Sequence, residues 1–102
     1  MDDHGDESWP WDQAPNVAAI TVRSILEGAP ILHVAHDEDD DGWQFLDGNP
    51  VDTSEARVVS MCHVVGLDAT LTDIADLPPG WTASREGVGA PWIRRELETA
   101  QD

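Results

Sequence analysis

The run Asp37-Glu38-Asp39-Asp40-Asp41-Gly42 has the clearest chemical potential in this sequence. Asp37-x-Asp39-x-Asp41-Gly42 fits the opening of a calcium-binding EF-hand loop, where alternating carboxylates converge on a hard cation and glycine permits the sharp turn. The twelfth position of that motif needs a bidentate Glu, and Gly48 stands there. The flanking residues also read as strands, whereas the motif needs helices. A solvated acidic tip is therefore the main expectation, with a loose cation site as the alternative.

Metal and nucleophile chemistry find less support. His33 and His36 are three apart on a strand-like run, which points them to opposite faces. Cys62 and His63 are neighbours on an extended pattern and diverge in the same way. Zinc ligands usually come as pairs in short loops, and no such pairs occur. Cys62 falls in an apolar strand candidate, where a buried inert thiol is the common case. Ser60 and Ser84 lack a nucleophile-elbow motif, and there is no Gly-rich phosphate loop. The expectation is no enzyme, with no catalytic residue, no cofactor and no metal.

Trp43, Phe45, Trp81 and Arg85 form the other conspicuous set. Bulky aromatics at alternate strand positions point to one face of a sheet, best explained as its core face. Arg85 shares the side of Trp81 and can pair with an acid or stack on an indole.

The elements that would hold these residues follow from periodicity and turn signals. Ala18, Val22, Ile25 and Leu26 recur at spacings of three and four, predicting a helix from Pro15 or Asn16 to Glu27, ended by Gly28 and Pro30. Ile31–His36 and Trp43–Leu46 read as strands of a hairpin around the acidic run, and Asp47-Gly48-Asn49-Pro50 is a turn. Arg57–Cys62 is a third strand. Val64, Leu67, Leu71 and Ile74 predict a helical stretch from His63 to Leu77, with Gly66 interrupting it and Asp68 capping its second part. Leu77-Pro78-Pro79-Gly80 ends it, and Trp81–Arg85 is a fourth strand. Pro91 can open a short C-terminal helix to Glu98.

A chain of 102 residues supports one domain. The expected organisation is a flexible acidic, Trp-containing arm over 1–14, an α+β domain over 15–90, and a short helix or tail over 91–102. The two tryptophans of the arm, Trp9 and Trp11, are expected to fold back onto the domain. The fold class expected is α+β, a small four-stranded, mainly antiparallel sheet with two helices on one face.

Charge narrows the partners. With 21 acidic residues against 5 arginines and no lysine, the formal net charge is -16. Such a surface argues against nucleic acid and anionic membranes and suits a basic protein or a cation. A single cysteine, an acidic N-terminal sequence and the lack of a long apolar run make the cytoplasm the expected compartment.

Three stretches together look familiar: His36 through Gly48 with its acidic run entering Gly42-Trp43-Gln44-Phe45, then Val58-Val59-Ser60 followed by Val65-Gly66-Leu67-Asp68-Ala69-Thr70-Leu71, then Leu77-Pro78-Pro79-Gly80-Trp81-Thr82-Ala83-Ser84-Arg85. This layout resembles a group of bacterial immunity-protein-like domains of unknown function. The likeness covers roughly Pro30 to Glu86 and lies in hydrophobic and turn positions. Ala69 departs from it, since proline more often follows the helix Asp. The resemblance implies a compact α+β fold and, for some relatives, neutralisation of a toxin protein. The expected function is thus a non-enzymatic binding protein of the immunity or inhibitor type, contacting a basic protein partner through Asp37, Glu38, Asp39, Asp40, Asp41 and Trp43. The alternative is a regulatory or accessory domain that binds a small ligand or cation through the same loop. An unpaired edge strand leaves a dimer open.

Overall fold

A computed structural model describes Trp11 and residues 14–38, 42–49 and 52–96. The elements are β1 (Ala18–Val22), α1 (Arg23–Leu26), β2 (His33–His36), β3 (Trp43–Leu46), β4 (Ala56–Ser60), α2 (Met61–Leu67), β5 (Trp81–Ser84) and β6 (Ile93–Glu96), with 3-10 segments at Thr53–Glu55 and Ala69–Ile74. The strands form one six-stranded sheet in the order β4-β1-β3-β2-β5-β6. β1 runs parallel to β3, and the other pairings are antiparallel.

The expected four-stranded, mainly antiparallel sheet is corrected in two places. Residues 18–22 are a strand in the middle of the expected first helix, and α1 is a single turn. Ile20, Thr21 and Val22 are β-branched, which stiffens χ1 and favours the pleated surface. Partners on both sides, β3 and β4, satisfy the backbone of this strand. The second correction is at the C-terminal end, where 93–96 pairs with β5 as β6 where a short helix or tail was expected. Gly89, at φ +89, supplies the left-handed step in the connection between them.

Elsewhere the hairpin of β2 and β3 forms, closed by Asp37 N–H donating to Gly42 O at 2.7 Å. β4 ends at Ser60, whose hydroxyl accepts from His63 N and caps α2. Asp68 accepts from Thr70 N and opens the 3-10 segment after α2.

Alternation along the strands builds the core on one sheet face. Thr21, Val34, His36, Trp43, Phe45 and Ala83 point there and are buried, beneath Met61, Val64, Leu71, Ile74 and Leu77. The Trp43 ring stacks on His36 at 4.0 Å between centroids and meets Trp11 edge-on at 4.7 Å. His36 Nδ1 lies 2.7 Å from Leu77 O, tying the sheet to the end of the helical layer. Trp11 is only 5% exposed and packs in the core, as expected of a tryptophan that folds back onto the domain; Trp9 lies outside the described residues. Trp11→Ala is expected to lower unfolding free energy by about 3–5 kcal/mol, the range for removing a buried aromatic. Urea denaturation checks this, and a midpoint equal to the parent's would place Trp11 outside the cooperative core.

Candidate functional site

The opposite sheet face has another character. Val58 is 71% exposed and Ile20, its register partner, 42%. Gln44 lies beside Ile20 on the next strand, and Ala35 opposite Gln44 on β2. A shallow groove of about 240 Å³ crosses this area, lined by Ala18, Ile20, Gln44, Val58, Gly42 and Asp37 among others. Its long side is apolar and its end is Asp37, the first acid of the loop between β2 and β3. Gln44 Nε2 donates to Asp37 Oδ2 at 3.4 Å, which holds that carboxylate over the open face.

Of the six residues expected to contact a partner, Asp37 is half-buried at the groove, and Glu38 is exposed beside Gly80. Asp39, Asp40 and Asp41 lie outside the described residues. Trp43 also borders the groove, but its side chain turns away from it. It is 1% exposed because its position on β3 points it into the aromatic core. The residues that build the groove, Ile20, Gln44 and Val58, were not singled out from sequence. Helical spacing hid Ile20, although the pairing of β-branched runs at 20–22 and 58–59 was available as a strand signal.

A second, larger cleft of about 550 Å³ lies at the other end of the covered layer. Ile25, Pro30 and Ile31 form part of its wall with Leu67 and Val88, and Glu27 and Asp68 are its acids. Under it sits the one deeply buried ion pair among the described residues. The Arg85 side chain is 1% exposed, and its Nη2 donates to Asp68 Oδ2 at 2.6 Å. Arg85 also donates to Ile31 O from Nε and Nη2 and to Thr70 Oγ1 from Nη1. Its Cζ lies 4.2 Å from the centre of the Trp92 ring. The two expected roles of Arg85, pairing with an acid and stacking on an indole, are both present, the indole being Trp92.

Other candidates separate. His33 and His36 fall on opposite faces of β2, His36 buried and His33 half-buried. Burial lowers the His33 pKa from its ordinary value. Cys62 is exposed in the first turn of α2, not buried in a strand, because β4 stops two residues earlier; its Sγ is 3.4 Å from Ser60 Oγ. Among the described residues no three His, Cys, Asp or Glu side chains group to hold a metal ion. No helix of the described residues is long and apolar enough to cross a membrane.

Comparison with family models, curated proteins and solved structures finds no match to this chain.

The Asp68–Arg85 pair makes a pH prediction. Burial pushes the Asp68 carboxyl up, but hydrogen bonds from the Thr70 side chain, from Arg85 and from Thr70 N, with the Arg85 charge, outweigh it and leave its pKa below the ordinary value. The stability from this depression is present above the unfolded carboxylate pKa of about 3.9 and is lost as pH falls through the lower folded value. Asp68→Ala, which strands the buried guanidinium, is expected to cost about 3–5 kcal/mol at pH 7. The stability gap between the parent and Asp68→Asn should close as pH drops below about 3.9. A gap that stays constant from neutral to acid would show that the charge of Asp68 is not what matters.

Proposed function

We propose that this chain is a non-catalytic binding protein, of the immunity or inhibitor type, whose partner is a basic protein docking across the open sheet face. The observation that carries this is the groove, apolar along Ala18, Ile20 and Val58 and ending at Asp37 where the acidic loop begins. Such a surface offers two separable terms. Carboxylates of the loop, on a chain of net charge -16, attract a cationic protein over a distance and raise its association rate. The exposed β-branched side chains then exclude water against the partner's own apolar contacts and set its residence time. Neither step needs a bond to be made or broken, and the resemblance to immunity-protein-like domains supports the same reading.

A photo-crosslinking residue at Gln44, which faces the groove without filling the core, should capture a protein of high isoelectric point from the native organism. With that protein purified, neutralising Asp37 through Asp41 to Asn or Gln is expected to slow association by about tenfold or more and flatten its dependence on salt. Ile20→Asp should leave the association rate nearly unchanged and speed dissociation. Capture of only acidic proteins, or association rates indifferent to both salt and the loop acids, would overturn the proposal.

A further inference from the structure

The edges of the sheet differ in a way that points to a second binding surface. Among the described strands, β4 and β6 are the terminal ones in the order. β6 reads Ile93-Arg94-Arg95-Glu96, so two such strands meeting antiparallel would bring arginines together. β4 reads Ala56-Arg57-Val58-Val59-Ser60. From Ala56 to Leu67 the sequence contains no acid, and neither does β1 beside it, on a chain holding 21 acidic residues. This is the side along which two copies of so acidic a protein approach with least repulsion. A cationic partner is drawn to the Asp37 end instead, since the charge on β4 is Arg57.

The hydrogen-bond phase of β4 suits pairing with another strand. Ser60 stands opposite Ala18, and Met61 N–H donates to Val17 O at 2.8 Å. That bond makes Ser60 and Ala18 a non-hydrogen-bonded pair, and by alternation so are Val58 with Ile20 and Ala56 with Val22. The N–H and C=O groups of Ala56, Val58 and Ser60 therefore point away from β1, at the rim, the Ser60 carbonyl being also the first acceptor of α2. Among the described residues no strand meets them. Arg57 Nη1 donates to Ala56 O at 2.9 Å, and that carbonyl keeps a second lone pair.

We propose that β4 is the dimerisation edge of this protein, pairing antiparallel with β4 of a second copy about a two-fold axis at Val58. This register matches Val58 with Val58 and Ala56 with Ser60, so all three outward residues of each strand are used. Shifting the axis to Arg57 would oppose two arginines directly. Shifting it to Val59 would leave Ala56 unpaired. An axis normal to the sheet keeps both helical layers on one side and joins Ile20 and Val58 of the two copies into one apolar strip on the open face. Glu55, the acid next to β4, is held by Arg23 Nε at 2.7 Å, away from the seam. The seam shares the Val58 side chain with the groove but is built from outward main-chain groups of β4, so the oligomeric state of the chain alone tests the dimer without the basic partner.

Sedimentation equilibrium of the full chain tests this directly. Charge repulsion should leave monomer dominant at low salt, with mass rising toward the dimer at about 1 M NaCl, where the Debye length is about 3 Å. Val58→Pro removes only an outward N–H, which an edge strand tolerates, and should weaken dimerisation at least tenfold while tryptophan fluorescence stays native. Val58→Lys, a charge on the same edge, should do the same if the proline variant fails to fold. In the parent, hydrogen exchange at the Val58 and Ser60 amides should slow as protein concentration rises, with the Arg57 and Val59 amides unchanged. A monomer at every salt and protein concentration overturns the proposal. So does a dimer that persists in both variants, or one that protects the Arg94 and Arg95 amides in place of Val58.

Discussion

Arg85 is the tie on which the covered half of the molecule depends. It extends from the end of β5 and binds the chain entering β2 through Ile31 O, the start of the 3-10 segment through Asp68 and Thr70, and the approach to β6 through the Trp92 ring. Three other segments, at Ile31, at Asp68 and Thr70, and at Trp92, converge on one guanidinium. A buried cation is stable only when its donors are used and its charge is met. The chain must therefore bring Asp68 to that point, and doing so seats the helical layer over one face of the sheet. Arg94 repeats the linkage at the rim, donating to Asp76 and to Asp73 O.

Once that layer is in place, the other face has no comparable cover among the described residues. Its most exposed large side chains near β1 and β4 are Ile20 and Val58, with Asp37 at one side and Arg95 of β6 at the far edge. Val58 and Ile20 stand side by side and exposed on this face, which is the surface the proposed partner would cover. The lack of acids on β4 and β1 marks β4 as an edge that does not repel its own copy. The two proposals therefore assign the acid-free side and the acidic loop to different occupants, a second copy and a basic protein.

How far the sequence foretold this depended on how many patterns each stretch could satisfy. Trp43–Leu46 was legible to the residue because alternation, a glycine before it and an Asp-Gly turn after it all agree. Asp68 was legible as a cap because its side chain precedes a threonine whose N–H needs an acceptor. Residues 18–22 were ambiguous. Ala18 and Val22 fit a helix stripe as well as a strand, and only the tertiary partners β3 and β4 decide for the strand. β6 was hidden behind Pro91, which suits a helix start and equally precedes an edge strand. The candidate site inherited these gaps. Asp37 could be named from its run of acids, but the groove needs β1 as a strand, and a helix there removes Ile20 from the face that Val58 shares.

The central claim is that the open face, and not the cleft or the covered layer, receives the basic partner. Chemical-shift mapping of the labelled chain on addition of that partner tests it most directly. The expected result is perturbation centred on Ile20, Gln44, Asp37 and the side chain of Val58, with Leu71 and Ile74 silent. Perturbation centred on Leu67 and Val88 at the cleft, with Ile20 and Gln44 unmoved, would contradict it.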